Sequence, residues 1–175
     1  LPARHAMSLC REIVRSQLKV SFFGSNINPI HLDSGLPEEM VRAGFRSVTC
    51  TAESASDRVL KGMRKGFKRQ QAVQVAKQFQ QVGLRVFWMF LIGGPGENQD
   101  TVEETLEFIH RETGPGDVAL IIYGIRIYPN TGMETVALEE GLIQQREELL
   151  WPVFYMSPGL EHGWLKKRIN RAIRE

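Results

Sequence analysis

The chain has 175 residues, with 22 Lys and Arg against 20 Asp and Glu and a formal net charge of +2. That length supports one domain with a real core, and the balanced charge does not indicate nucleic acid as a partner. No stretch is apolar and long enough to span a membrane, and no signal peptide is expected. Cys10 and Cys50 sit in apolar patterns with no CxxC partner, so they read as buried free thiols in a reducing, cytoplasmic compartment. The pattern over residues 3–17 puts Ala6, Leu9, Cys10, Ile13 and Val14 on one helical face. Lys19–Gly24 is a short β-rich run ending in Ser25-Asn26-Ile27-Asn28-Pro29. Pro37–Ala43 is a short helix opened by proline and closed by Gly44. Arg46–Ala52 is a second strand, ending at Glu53-Ser54. Ser56 caps a helical turn with Val59, Leu60 and Met63 that stops near Gly66. Ala72, Val75, Ala76, Phe79 and Val82 form an apolar stripe closed by Gly83. Leu84–Ile92 is a third strand.

The third strand runs into the glycine turn Gly93-Gly94-Pro95-Gly96-Glu97. Thr101 and Glu104 read as a capping box before the stripe Val102, Leu106, Ile109. Gly114-Pro115-Gly116 breaks the chain. Val118–Ile127 is a fourth strand, followed by Tyr128-Pro129-Asn130-Thr131 and a short helix around Val136–Leu142. Gln144–Tyr155 is irregular. Ser157-Pro158 opens a last amphipathic helix with Trp164, Leu165, Ile169, Ala172 and Ile173. The basic positions Lys166, Lys167, Arg168, Arg171 and Arg174 form its solvated face.

Alternating strands and helices, with near-continuously apolar strands, predict a parallel α/β sheet. Four βα units are too few to close an eight-stranded barrel of about 250 residues, so the expectation is an open sheet or a half barrel. It spans residues 1–142, with a carboxyl-terminal extension over 143–175 that ends in the helix. The chain starts at Leu1, not Met, and enters a helix at once, which gives the expectation of a piece of something longer.

Polar residues mark every strand end: Asn26 and Asn28, then Glu53, Ser54 and Ser56, then Gly93 to Glu97, then Arg126, Tyr128 and Asn130. In a parallel sheet these ends share one edge, where ligands bind. Carboxylate, amide and hydroxyl groups there suit ribose hydroxyls and an ammonium group, and glycine turns suit an adenine edge. The competing reading is that Asn, Ser and Glu merely cap helices. Glu97 reads as a fixed charge beside the turn. Glu53 follows an apolar strand directly, so it needs a partner.

Four segments carry a resemblance. Glu53-Ser54-Ala55-Ser56-Asp57-Arg58-Val59-Leu60 and Met63-Arg64-Lys65-Gly66 are similar to E-S-G-S-D-x-V-L and M-x-[KR]-G. Phe90-Leu91-Ile92-Gly93-Gly94-Pro95-Gly96-Glu97 and Tyr128-Pro129-Asn130-Thr131 are similar to F-x-x-G-x-P-G-E-T and Y-P-G-T-P. In this order, from Glu53 to Thr131, they resemble the later half of a radical S-adenosylmethionine (SAM) core, the partial TIM-like barrel that such enzymes share. The nearest relatives include cobalamin-binding proteins such as anaerobic magnesium-protoporphyrin ester cyclase-like proteins and radical methyltransferases.

The resemblance implies a [4Fe-4S] cluster held by CxxxCxxC, whose open iron site binds the SAM amino and carboxylate groups. It also implies a 5′-deoxyadenosyl radical or methyl transfer, acting on a small-molecule substrate, with cobalamin in some parents. By the same resemblance Glu53 and Ser54 contact the ribose and amino-acid moiety, and Lys65 lies near the cofactor carboxylate. Gly93, Gly94 and Glu97 shape the turn beside the adenine. Ile127 and Tyr128 approach the adenine, and Asn26 and Asn28 meet cofactor or substrate. The chain has no CxxxCxxC and no Gly-Gly-Glu turn after the second strand. Ala55 and Asn130 replace family glycines. The expectations are cluster ligands outside this chain, a fragment inactive alone that lacks the amino-terminal half of its barrel, and homo-oligomers through open strand edges and an uncovered apolar face.

Two other classes compete. One is a non-catalytic nucleotide-binding α/β module of flavodoxin or Rossmann type, which the late glycine turn and the missing GxGxxG disfavour. The other is an interaction module anchored by Trp164 and Leu165, against which stands simple packing of that helix on the sheet.

Overall fold

The computed structural model describes residues 2–32, 35–144 and 149–174. Four parallel strands lie side by side in chain order: β1 (Phe22–Ile27), β2 (Phe45–Glu53), β3 (Arg85–Ile92) and β4 (Val118–Tyr123). The connections carry α2 (Leu36–Ala43) after β1, α3 (Asp57–Gly62) and α4 (Arg69–Gln81) after β2, and α5 (Gln99–Glu112) after β3. Helix α1 (Ala3–Arg15) precedes the sheet. This is the α/β arrangement of a partial barrel: parallel neighbours need long crossovers, and each crossover here is helical.

The helices lie on one face of the sheet. Strand side chains alternate, so Val48, Cys50 and Ala52 of β2 and Val86, Trp88 and Phe90 of β3 share that face and are fully or nearly fully buried. Against them pack Cys10, Met40 and Ala43 from α1 and α2, the predicted stripe Ala72, Val75, Ala76 and Phe79 of α4, and Phe108 of α5. Trp88 and Phe108 meet edge to face at 5.5 Å. Both cysteines are buried and free, and burial pushes the Cys50 thiol well above its ordinary value.

The opposite face stays open. Phe23, Phe87, Val118 and Leu120 are 43–54% exposed there, and Phe23 meets Phe87 edge to face. The expectation of an uncovered apolar face thus holds for β1, β3 and β4, while β2 contributes Ser47, Thr49 and Thr51 to it.

Several boundaries differ from the sequence reading. Strand β1 starts at Phe22, not Lys19, and carries on through Asn26. The run Val118–Ile127 is not one strand: Gly124, at φ +76, breaks it, and Ile125–Arg126 (β5) turns away to pair antiparallel with Phe154–Tyr155 (β6). The cap of α5 is Asn98 with Thr101, not Thr101 with Glu104: Asn98 Oδ1 accepts the Thr101 N–H at 3.0 Å, and Thr101 Oγ1 accepts the Asn98 N–H at 2.9 Å. Ser56 stands at the start of α3, but its side chain makes no capping bond. Helix α6 is Gly132–Glu139, one turn earlier than expected, because Thr131 caps it. Helix α7 is His162–Ala172, capped by Glu161, and Ser157-Pro158 lies ahead of it. Leu9 and Ile173 face solvent, whereas Met7 packs inward. Arg168 is not part of a free basic face: it forms a two-point ion pair with Glu103, at 2.6 and 2.8 Å. Within the segment read as irregular, residues 145–148 lie outside the described residues.

The extension returns to the sheet. Leu160, Leu165 and Ile169 pack on Ile92, Val102 and Leu106. A third small cluster joins Ile127, Ala137, Ile143, Leu149 and Tyr155. No described helix is long and apolar enough to cross a membrane.

Candidate functional site

The carboxyl ends of β1, β2 and β3 line one edge, and both register shifts near that edge fall where side chains must be re-aimed. Strand β1 shifts against β2 between Gly24 and Ile27, and β2 shifts against β3 between Cys50 and Glu53. Five non-glycine residues among those described have left-handed φ. Three of them, Asn26 (+56), Glu53 (+62) and Asn130 (+61), sit at or just past a strand end, and Arg64 (+55) follows α3. Asparagine tolerates that conformation, but glutamate and arginine do so at a cost of about 1 kcal/mol or more each, and such outliers gather at ligand sites.

Glu53 has a partner that local sequence does not reveal. Its carboxylate forms an ion pair with the Lys65 ammonium, the two side chains being 16% and 27% exposed. The chain returns for this contact because α3 ends at Gly62 and Arg64 turns it through a left-handed residue, with the Lys65 N–H on the Leu60 carbonyl at 3.0 Å. Ser54, in contrast, is fully buried. Its hydroxyl accepts the Ser56 N–H at 3.1 Å and lies 3.3 Å from the Thr105 hydroxyl. Thr105 Oγ1 also accepts the Ala55 N–H at 3.1 Å. Ser54 is therefore a strut that fixes the β2–α3 turn. Ala55 is accommodated because its φ is not left-handed, and Asn130 supplies the left-handed turn in place of glycine.

The glycine turn after β3 is built around Glu97, which is 1% exposed. One oxygen, Oε2, accepts the Gly93 N–H and, at 2.9 Å, the Gly94 N–H. The other, Oε1, is buried with no hydrogen-bond partner. Burial pushes this carboxyl up to about 7, against the pull of the two backbone donors. The expected fixed charge is thus a group that titrates near neutrality. Gly93 has φ +112, and an added Cβ would meet Met156 Sδ at 2.5 Å. Gly94 faces Val59 and Met63 at 3.0–3.2 Å. Ser157 docks the extension onto the turn: its N–H donates to the Gly93 carbonyl at 2.9 Å, and its hydroxyl donates to the Glu97 carbonyl at 2.7 Å. No sequence pattern pointed to Thr105, Met156 or Ser157, because each acts across more than 45 residues. Only an unexplained polar or sulfur side chain in an apolar setting could have hinted at them.

The remaining candidates divide. Asn26 and Asn28 border a cavity of about 210 Å³ together with Cys10, His31 and Met40, on the helix side of β1. Asn28 also caps a short helical turn, Oδ1 accepting the Ile30 N–H at 3.0 Å. Ile127 is buried in the third cluster and donates its N–H to the Val153 carbonyl at 2.9 Å. Tyr128 is half exposed, with the Arg126 guanidinium 4.8 Å from its ring. The structure therefore brings Glu53 and Lys65 together, and gathers Gly93, Gly94 and Glu97 into one turn. It buries Ser54 and the Ile127 side chain away from solvent. Among the described residues, no group of three or more His, Cys, Asp or Glu side chains could hold a metal.

Comparison with known proteins follows the same lines. Residues 4–109 match the profile of the Radical SAM superfamily. An uncharacterized methyltransferase of Pyrococcus horikoshii is 29% identical over 109 residues, which is 62% of this chain and 23% of that protein. The radical S-adenosylmethionine methyltransferase TsrM of Kitasatospora setae, solved with cobalamin and a [4Fe-4S] cluster, superposes with TM-score 0.76 at 19% identity, over 91% of this chain and 39% of that one. The cobalamin-dependent S-adenosylmethionine radical enzyme OxsB gives 0.55 at 13% identity, over 98% and 26%. The chain thus spans well under half the length of these relatives.

Proposed function

The chain belongs to the radical SAM superfamily, and from that premise we propose that it is the later half of the barrel of a methyltransferase or oxidoreductase that binds SAM across its strand ends. The observation that carries this reading is the half-shielded Glu53–Lys65 pair, held at the sheet edge by two strained residues. A carboxylate beside an ammonium matches the opposite charges of an amino-acid moiety. In the proposal Glu53 takes the ammonium and ribose hydroxyls, and Lys65 takes the carboxylate. The Gly93–Gly94 turn and Tyr128 flank the base. Ser54, Thr105 and Glu97 hold these turns in place. Bound SAM would supply an activated methyl or adenosyl group.

A [4Fe-4S] cluster does not fit the residues present. Cys10 and Cys50 are both buried, on α1 and β2, and no metal-binding cluster exists among the described residues. In this proposal the cluster ligands, the rest of the barrel and any cobalamin site lie outside the chain, and the chain alone is inactive. Cobalamin is named for TsrM and OxsB, which supports it as a second cofactor of the parent.

The test is made on the full-length protein, purified without oxygen and reconstituted with iron and sulfide. Electron paramagnetic resonance of the reduced protein should show a cluster signal that changes when SAM is added. Lys65→Ala should weaken that response while leaving the cluster content intact. A signal indifferent to SAM, or no cluster, would leave a nucleotide-binding α/β module instead.

A further inference from the structure

Beside the Glu53–Lys65 pair lies a groove of about 890 Å³ whose walls carry Arg58, Lys61, Arg64, Lys65 and Lys68. Its floor is Leu60 and Phe67, both buried. The single acid lining it, Asp57, has its carboxylate on the Arg69 N–H at 2.7 Å.

This concentration of charge is unlike the rest of the molecule. Elsewhere some cations sit against carboxylates, Arg11 and Arg42 on Glu39, Arg69 and Arg111 on Glu107, Arg168 on Glu103, and others, such as Lys19, Arg46 and Lys77, form no ion pair among the described residues; what sets the groove apart is that five cations line it together. In the groove only Lys65 has an acid partner. Arg58, Lys61, Arg64 and Lys68 form no ion pair among the described residues, although the chain as a whole is only +2. Like charges three residues apart on α3, as in Arg58 and Lys61, repel one another and destabilise the helix, and Arg64, Lys65 and Lys68 add to that repulsion just past its end. Apart from Lys65, these side chains are exposed, so core packing does not require them.

We infer that this groove is an anion-binding site for a compact group with two or more negative charges, of the diphosphate class. The planar Arg forks match phosphate oxygens bidentately, and the Lys ammoniums act as point charges around them. Phe67 is buried and no exposed aromatic lines the groove, so it lacks the stacking platform that single-stranded nucleic acid uses. The groove also adjoins the sheet edge. A Cβ on Gly62 would strike the Pro95 carbonyl, one on Gly96 would lie 3.4 Å from Arg58 Nε, and one on Gly132 would lie 3.6 Å from Arg64. A molecule anchored here by its diphosphate extends over the strand ends.

The test uses inorganic pyrophosphate alone, so it is independent of the cofactor proposal. Isothermal titration at low salt should show wild-type binding. A variant with Arg58→Gln, Lys61→Gln and Lys68→Gln should bind at least about tenfold more weakly, since charge-assisted contacts are the strong ones. A control with Lys166→Gln, Lys167→Gln and Arg174→Gln removes as much charge elsewhere and should bind like wild type. If the groove variant melts early, amide shift mapping on the wild type decides: pyrophosphate must perturb residues 58–68. No wild-type binding, equal loss in both variants, or shifts elsewhere overturns the inference. So does a single-stranded RNA of roughly ten nucleotides that outcompetes pyrophosphate at the same residues.

Discussion

Glu97 is a buried carboxylate whose two backbone donors do not offset its desolvation. Its proton affinity in the folded chain is raised from 4.5 to about 7. Between those values the folded state holds the proton and the unfolded state has lost it. Raising the pH through that window therefore costs stability, while below it the contribution is fully present. Urea unfolding of wild type and Glu97→Gln should diverge by on the order of 3 kcal/mol from about pH 4.5 to above pH 7, with wild type the one that loses. Parallel curves for the two proteins would contradict this account. At this scale the sequence was readable where residue type dictates geometry: Gly93 and Gly96 announce a turn. It was silent on Glu53 and Arg64, because nothing about a glutamate or arginine signals a left-handed φ. The Glu53–Lys65 pair spans a helix and a turn, so no periodicity exposes it; only the family resemblance suggested Lys65.

Among elements, helix α5 shows how a cap was legible and yet misassigned. A capping box needs a polar cap and a partner three residues on, and both Asn98–Thr101 and Thr101–Glu104 satisfy that spacing. The glycine turn decides between them, since it delivers the chain in extended geometry at Asn98. Asn98→Ala should lower stability by about 1 kcal/mol in thermal or urea unfolding, whereas Glu104→Ala should change it little. Reversal of that order would mean the cap energy lies one turn later. The apolar runs of β2, β3 and α4 were found because burial imposes periods of 2 and 3.6 on them. The break at Gly124 was not, because Ile125 and Ile127 continue the apolar pattern while their partners β6 and Val153 lie nearly 30 residues away.

For the whole molecule, the open face of the sheet sets the behaviour in solution. Phe23, Phe87, Val118 and Leu120 present an apolar surface bounded by two unpaired strand edges, β1 and β4. We propose that isolated copies cover it by self-association. Light scattering should find dimers or larger species for wild type and monomers for Phe87→Glu with Leu120→Glu, at unchanged circular dichroism. A monodisperse wild-type monomer would refute this. The half-barrel architecture was predictable from the βα count, and packing of the last helix on the sheet, weighed from its apolar stripe, holds through Leu165 and Ile169 on Ile92; the Ser157 bond to the Glu97 carbonyl was not foreseen, since it joins residues 60 apart. The three tryptophans divide by location as well. Trp88 is fully buried, with its indole N–H on Asp117 Oδ2 at 3.0 Å, Trp164 is partly buried on α7 against the second cluster, and Trp151 is 79% exposed. Intrinsic fluorescence therefore spans a blue-shifted emission from buried Trp88 to a red-shifted one from exposed Trp151 in the extension. A dissolved quencher such as iodide extinguishes the second while sparing the first, so one cuvette reports on core and extension independently.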